Sequence, residues 1–278
     1  MAIKRILLPF CDNGDVKPIA EAAFHIGQAF SAQVLGLLAQ RPYSFPPAVG
    51  EPLSPEMIQL LVEHEQLTRA ESFRQAHEMF HELEANFPHV DAEWTAADGS
   101  IRDLVSHSAR LADISVLGSG APFEENGWEE VREAALLGSG RPVLFVPPTG
   151  LENEKGFDRI VIAWKESIEA ARAIAAAGSF LVLAKEVYLV TVGESAEAST
   201  SLQQVENYLQ LHFAELRSEV IAPSEKDIGG TLTDVCEARG RALLVMGAYS
   251  HWRWQERVFG GVTEHVLREA RTPVLMAH

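Results

Sequence analysis

The sequence predicts an α/β protein: two doubly wound domains in tandem, each with a five-stranded parallel sheet. Three observations lead there. Landmark segments recur in the same order in both halves, short β-branched runs are apolar almost throughout, and the stretches between them carry apolar residues at helical spacing.

The repeat comes first because it sets the frame. KRILLPF (4–10) matches DRIVIAW (158–164), ADISVLG (112–118) matches RALLVMG (241–247), and RPVLFVPP (141–148) matches TPVLMAH (272–278). The joint falls in PPTGLENEKG (147–156), rich in turn formers and charge. The units are therefore drawn at 1–149 and 156–278. Continuous apolar runs are what strands covered on both faces require. Ile19, Ala22, Ala23, Ile26, Ala29 and Phe30 fall on one helical face, as do Ile101, Leu104 and Val105, and Ser167 is placed to cap the helix through Ile174. Alternation of strand and helix gives a doubly wound sheet, whose ligands sit at the carboxyl ends of the strands where strand order reverses.

The 278 residues carry 39 acidic against 23 basic side chains, a net charge of -16. Long-range repulsion of that sign argues against nucleic acid and anionic membranes as partners. A phosphate can still be held by local backbone N–H groups. MAIKRILLPF is too short an apolar run for a signal peptide, and a cytoplasmic location is expected. Cys11 and Cys236 lie one in each half without metal-type spacing, and Cys236 shares an apolar stripe with Leu232 and Val235.

The halves differ in two places. The N-terminal half has a surplus, mostly RPYSFPPAVGEPLSP (41–55) and a long helix running to about Phe87. The second difference is GAYSHWRWQERVFGGVT (247–263), where Gly260 stands opposite Glu129 of the first half. Gly247 ends a strand and is expected to let a ligand approach bare backbone. Gly260 and Gly261 open a helix, so that N–H groups of Gly261, Val262 and Thr263 face the strand ends, and Thr263 adds a hydroxyl.

Framed by VMG, which includes Met246, and by PVL, this motif resembles the GxxGx9G(S/T) pattern of the universal stress protein family, and the chain is similar to a tandem member over nearly its whole length. The resemblance implies Rossmann-like domains of the adenine nucleotide alpha hydrolase type, meeting through Val143–Val146 and Val274–Ala277 as an internal pseudo-dimer, with room for further homodimers. It implies ATP, or AMP or ADP, bound at Gly247, Ser250, Gly260, Gly261, Val262 and Thr263, with adenine and ribose near Ala163, Lys165 and Val192. The departures are Ser250 for the second glycine, Gly261 for the Ser/Thr, and Lys165 for an Asp. The last exchanges a carboxylate acceptor for an ammonium donor, losing a ribose contact or supplying charge to phosphate.

No catalytic residue is indicated. HEMFH (77–81) has the HExxH zinc-protease pattern, but Glu84 and Phe87 stand where its extended form needs Gly and His. Phe73, Ala76, Phe80, Leu83 and Phe87 make a buried stripe that leaves His77 and His81 on its flanks, so no metal is expected. HWRW (251–254) places two indoles beside Arg253, with Arg257 nearby; they close a lid or dock the loop on its own domain. The leading expectation is a nucleotide used as a switch or structural ligand in stress response. A nucleotide-free interaction scaffold is the alternative, and a slow ATPase the third.

Overall fold

The computed structural model describes residues 2–11, 16–42, 54–120, 123, 127–151, 157–193, 196–213, 215–223, 227–249 and 261–278. The chain forms β1 (Arg5–Phe10), α1 (Lys17–Phe30), β2 (Gln33–Gln40), α2 (Pro55–Asn86), β3 (Ala92–Asp98), α3 (Ile101–Arg110), β4 (Ile114–Gly118), α4 (Trp128–Leu136) and β5 (Val143–Val146). The second half repeats the order with β6 (Arg159–Ala163), α5 (Ile168–Ala176), α6 (Gly178–Leu181), β7 (Glu186–Val192), α7 (Ala196–Leu209), β8 (Leu216–Ile221), α8 (Ile228–Ala238), β9 (Leu243–Gly247), α9 (Gly261–Glu269) and β10 (Val274–Ala277). The helix after the first strand of this half is split at Ala177, giving α5 and α6.

All ten strands join one sheet in the order β3-β2-β1-β4-β5-β10-β9-β6-β7-β8. Every neighbouring pair within a half is parallel. The halves meet where β5 and β10 pair antiparallel, with Phe145 opposite Val274, Leu144 opposite Leu275 and Val143 opposite Met276. This is the contact expected between Val143–Val146 and Val274–Ala277. It hides the two edges that each half would otherwise expose.

Burial follows position in the sheet. The side chains of β5 and β10 are all buried, whereas the outer strands β3 and β8 alternate between part-buried and exposed. Strand order reverses between β1 and β4 in one half and between β6 and β9 in the other, since each of β1 and β6 has neighbours on both sides whose connections run opposite ways.

Local sequence explains the helix starts. Ser54, Ser100, Ser167 and Asp227 sit in extended backbone, and the side chain of each accepts an N–H two or three residues into its helix. One stripe is shorter than its periodicity predicts. Ala76, Phe80 and Leu83 of α2 are buried and Phe87 is half-buried, but Phe73 is exposed, because α2 outruns the sheet beneath it. Cys236 is buried, and burial pushes its thiol pKa up, as a core hydrophobe and not a nucleophile requires. Among the described residues no helix is long and apolar enough to cross a membrane.

The fully buried Phe145 lies on the strand that joins the halves. Phe145→Ala is expected to cost about 3–5 kcal/mol, lowering the urea midpoint of a single unfolding transition followed by circular dichroism. Two separated transitions, with only one displaced, would show that the halves are energetically independent.

Candidate functional site

In the C-terminal half the carboxyl ends of β6, β7 and β9 carry Ala163, Val192 and Gly247 to one end of the sheet, at the strand-order reversal. Ala163 and Val192 are both part-buried, and Lys165, two residues beyond β6, is exposed. Trp164 lies between them in sequence and is anchored. Its N–H donates to the Val190 carbonyl at 2.7 Å, its indole N–H donates to Ser201 Oγ on α7 at 2.9 Å, and its own carbonyl accepts from Thr191 Oγ1 at 3.1 Å. These bonds turn the chain off β6 toward the Ser167 cap of α5.

Gly247 is needed for a different reason from the one its sequence position implies. A Cβ there would lie 2.6 Å from the Ala170 nitrogen and 2.7 Å from the Glu169 Cβ. The space left by the missing side chain is taken by the first turn of α5. In this direction Gly247 makes room for a helix, while the residue itself is part-exposed. Met246 beside it is buried in the core.

Gly261, at the start of α9, is the opposite case. It is exposed, and among the described residues a Cβ on it would meet nothing within 4 Å. Val262 is part-buried and Thr263 buried. The first-turn N–H groups of a helix have no partner within it, and the helix dipole favours an anion beside them. Thr263 Oγ1 accepts the Tyr249 N–H at 3.3 Å, so this hydroxyl is tied to the turn after β9 and is not simply presented to a ligand. Ser250, Gly260 and the HWRW loop with Arg253 and Arg257 lie outside the described residues.

Three residues that the motif does not single out shape this end of α9. Tyr249 adopts a left-handed backbone (φ 54°), and its hydroxyl donates to Glu264 Oε1 at 2.9 Å. Burial, with the Glu264 carboxylate beside it, pushes the Tyr249 pKa up and keeps the phenol protonated. Arg132, from α4 of the other half, brings Nη2 to 3.8 Å from Glu264 Oε1. Matching Gly260 to Glu129 aligns Arg132 with Thr263, so the repeat was a signal for this contact across the pseudo-twofold. Tyr249 left no such trace, because a tyrosine in left-handed backbone is not a residue-type signature.

The N-terminal half treats the equivalent place differently. A Cβ on Gly118 would run into the ring of Phe123, which packs edge-on against Trp128 at a centroid distance of 5.2 Å. Both rings are buried. Trp128 opens α4, and Glu129 and Glu130 follow in its first turn. Two aromatic side chains and two carboxylates thus stand at the start of α4, and the C-terminal residues 250–260 that align with this stretch lie outside the described residues.

Residues 156–278 match the model described as Universal stress protein family. This half of the chain is thus similar to the universal stress protein family. Over its full length it has the fold of a universal stress protein from Archaeoglobus fulgidus DSM 4304, with a TM-score of 0.72 at 16% identity over 98% of this chain and 97% of that one. A functionally unknown protein from Pseudomonas aeruginosa PAO1 matches with a TM-score of 0.57 at 13% identity, covering 99% of this chain and 92% of that one. A universal stress protein solved in complex with cAMP matches 44% of this chain and 98% of its own at 18% identity, with a TM-score of 0.38. No curated protein sequence matches the chain.

The two glycines make opposite predictions. Gly247→Ala should destabilise the protein by about 1–3 kcal/mol in chemical denaturation, because backbone and not a flexible side-chain end blocks the new methyl. Gly261→Ala should be neutral or stabilising by up to about 1 kcal/mol.

Proposed function

We propose that the C-terminal universal stress protein domain, residues 156–278, binds an adenine nucleotide (ATP, ADP or AMP) at the α9 N-terminus, and that the N-terminal domain, residues 1–149, does not. The observation that carries this reading is the exposed start of α9: among the described residues nothing lies within 4 Å of a Cβ on Gly261, whereas α4 of the twin opens with the buried Trp128 followed by Glu129 and Glu130.

In this reading the first-turn N–H groups of Gly261, Val262 and Thr263 hold phosphate, joined by Ser250 and Gly260 of the motif. Adenine and ribose lie over the part-buried Ala163 and Val192. Lys165, exposed at the mouth, supplies charge to phosphate. Met246 and Gly247 act indirectly, as the core floor and the seat of α5. The residues present fit a nucleotide at the helix end and the strand ends, and they fit it through backbone, which is why a chain of net charge -16 is compatible with an anionic ligand. Bound nucleotide supplies free energy that favours whichever conformation holds it more tightly, which is what a switch or structural ligand in stress response needs.

Glu264 supports a second reading, a nucleotide-free interaction scaffold. A carboxylate in the first turn of α9, already joined to Tyr249 and near Arg132, satisfies part of the same positive helix end. Hydrolysis ranks below both, since among the described residues none beside the helix end is placed as a base by the observed bonds.

A thermal-shift titration with ATP distinguishes them. The expected result is a rise in melting temperature that grows with ligand concentration and disappears in Gly260→Glu, which copies Glu129 of the other half. No shift at millimolar ATP, together with no nucleotide released on denaturing the purified protein, favours the scaffold. Phosphate release above that of Gly260→Glu would promote the ATPase.

A further inference from the structure

The HEMFH segment on α2 has no part in the nucleotide reading, yet its two imidazoles face each other. His77 Nε2 and His81 Nε2 are 3.0 Å apart. His81 is held from behind: its Nδ1 lies 2.6 Å from Glu84 Oε2. His77 is held from its sides, with Phe73 stacked on it at 5.3 Å and 20° and Trp94 of β3 meeting it edge-on at 5.8 Å and 85°.

Tautomer follows from these partners. An ionised carboxylate only accepts, so His81 Nδ1 carries the proton and, in the neutral ring, Nε2 keeps its lone pair directed at His77. Two imidazole nitrogens each roughly 2.0–2.1 Å from a zinc-type ion stand about 3 Å apart when they subtend a near-right angle at it. The observed 3.0 Å is the length of an N–H···N hydrogen bond between the rings, and the same separation suits chelation in the tautomer that leaves both Nε2 lone pairs free. The Glu84–His81 contact is the outer-shell carboxylate that fixes the ring of a metal-bound histidine and raises its basicity.

We propose that His77 and His81 form a two-histidine site on α2 for a borderline divalent transition-metal cation, copper(II) more tightly than zinc(II), with water completing the coordination. Imidazole nitrogen selects such ions over magnesium and calcium, which need oxygen donors, and the general affinity order puts copper above zinc. The site is not a protease centre. Glu78, the base in the HExxH pattern, is engaged by Arg74 Nη1 at 2.8 Å. Among the described residues no group of three or more His, Cys, Asp and Glu is arranged to hold a metal. The pair lies just beyond Ala76, where α2 passes from its exposed first turns onto the core, so chelation would clip together one turn at that boundary.

The test uses the full chain, stripped with EDTA, dialysed, and titrated at neutral pH with CuCl2 and separately with ZnCl2 by calorimetry. Tryptophan emission is followed in the copper titration because Trp94 adjoins His77. The expected result is one ion per chain bound more tightly than any other, copper at least about tenfold tighter than zinc, with quenching of emission. His77→Gln and His81→Gln should each remove that site while leaving the circular dichroism spectrum unchanged. Glu84→Gln should weaken it on the order of 10–100-fold without abolishing it. The chain has ten histidines. Equal stoichiometry and affinity in wild type and both histidine variants would place the ion elsewhere and overturn the proposal, as would the absence of any binding tighter than that of the double variant.

Discussion

The antiparallel pairing of β5 with β10 is the constraint on which the rest of the molecule depends. Each half alone would end in a short, wholly apolar strand with an open edge. Pairing Leu144 with Leu275, flanked by Phe145–Val274 and Val143–Met276, turns two liabilities into the centre of one sheet. It also fixes the relation of the two candidate sites. Because the paired strands run in opposite directions, the carboxyl ends of the two parallel sets face opposite ends of the sheet, while α4 and α9 are brought side by side. The Gly120 N–H to Leu267 carbonyl bond at 2.8 Å and the approach of Arg132 to Glu264 are direct consequences. The N-terminal half therefore contributes a side chain close to the first turn of α9.

Duplication followed by divergence accounts for the asymmetry in physical terms. A strand-end glycine is kept in both halves, but different groups occupy the space it frees: an aromatic ring on Gly118, the first turn of a helix on Gly247. In the N-terminal copy, apolar burial of Phe123 and Trp128 stabilises the region without a ligand, and Glu129 and Glu130 satisfy the helix dipole from the chain itself. The C-terminal copy has Gly261 where Glu130 stands, and among the described residues Glu264 is the acidic side chain in the first turn of α9. A helix end that is less fully satisfied by its own side chains has more to gain from an external anion.

Much of this was legible in the sequence. The repeat, the central strands and the meeting of the final strands follow from long apolar runs at matching positions, which leave few alternatives. The outer strands were harder: AEWTAAD of β3 and LRSEVI of β8 mix polar and apolar residues because only part of each is covered. Phe73 was misplaced in the buried stripe of α2 because periodicity reports a face but not how far the sheet extends beneath it. The motif spans the end of β9 and the start of α9. It did not reveal that α5 fills the space at Gly247, that Thr263 bonds to Tyr249, or that Trp164 steers the chain away from Ala163, since each depends on which elements pack together and not on residue type. The HEMFH pattern was read as structurally neutral from its flank position. Only side-chain geometry shows the imidazole nitrogens converging.

The central claim is that one helix end of the pair accepts an anionic nucleotide and its twin does not. Backbone amide shifts of the labelled chain during titration with ADP test this residue by residue. The account predicts saturable changes at Gly261, Val262 and Thr263 with none at Trp128, Glu129 and Glu130. Changes confined to the α4 residues, or an unaltered spectrum at saturating ligand, would contradict it.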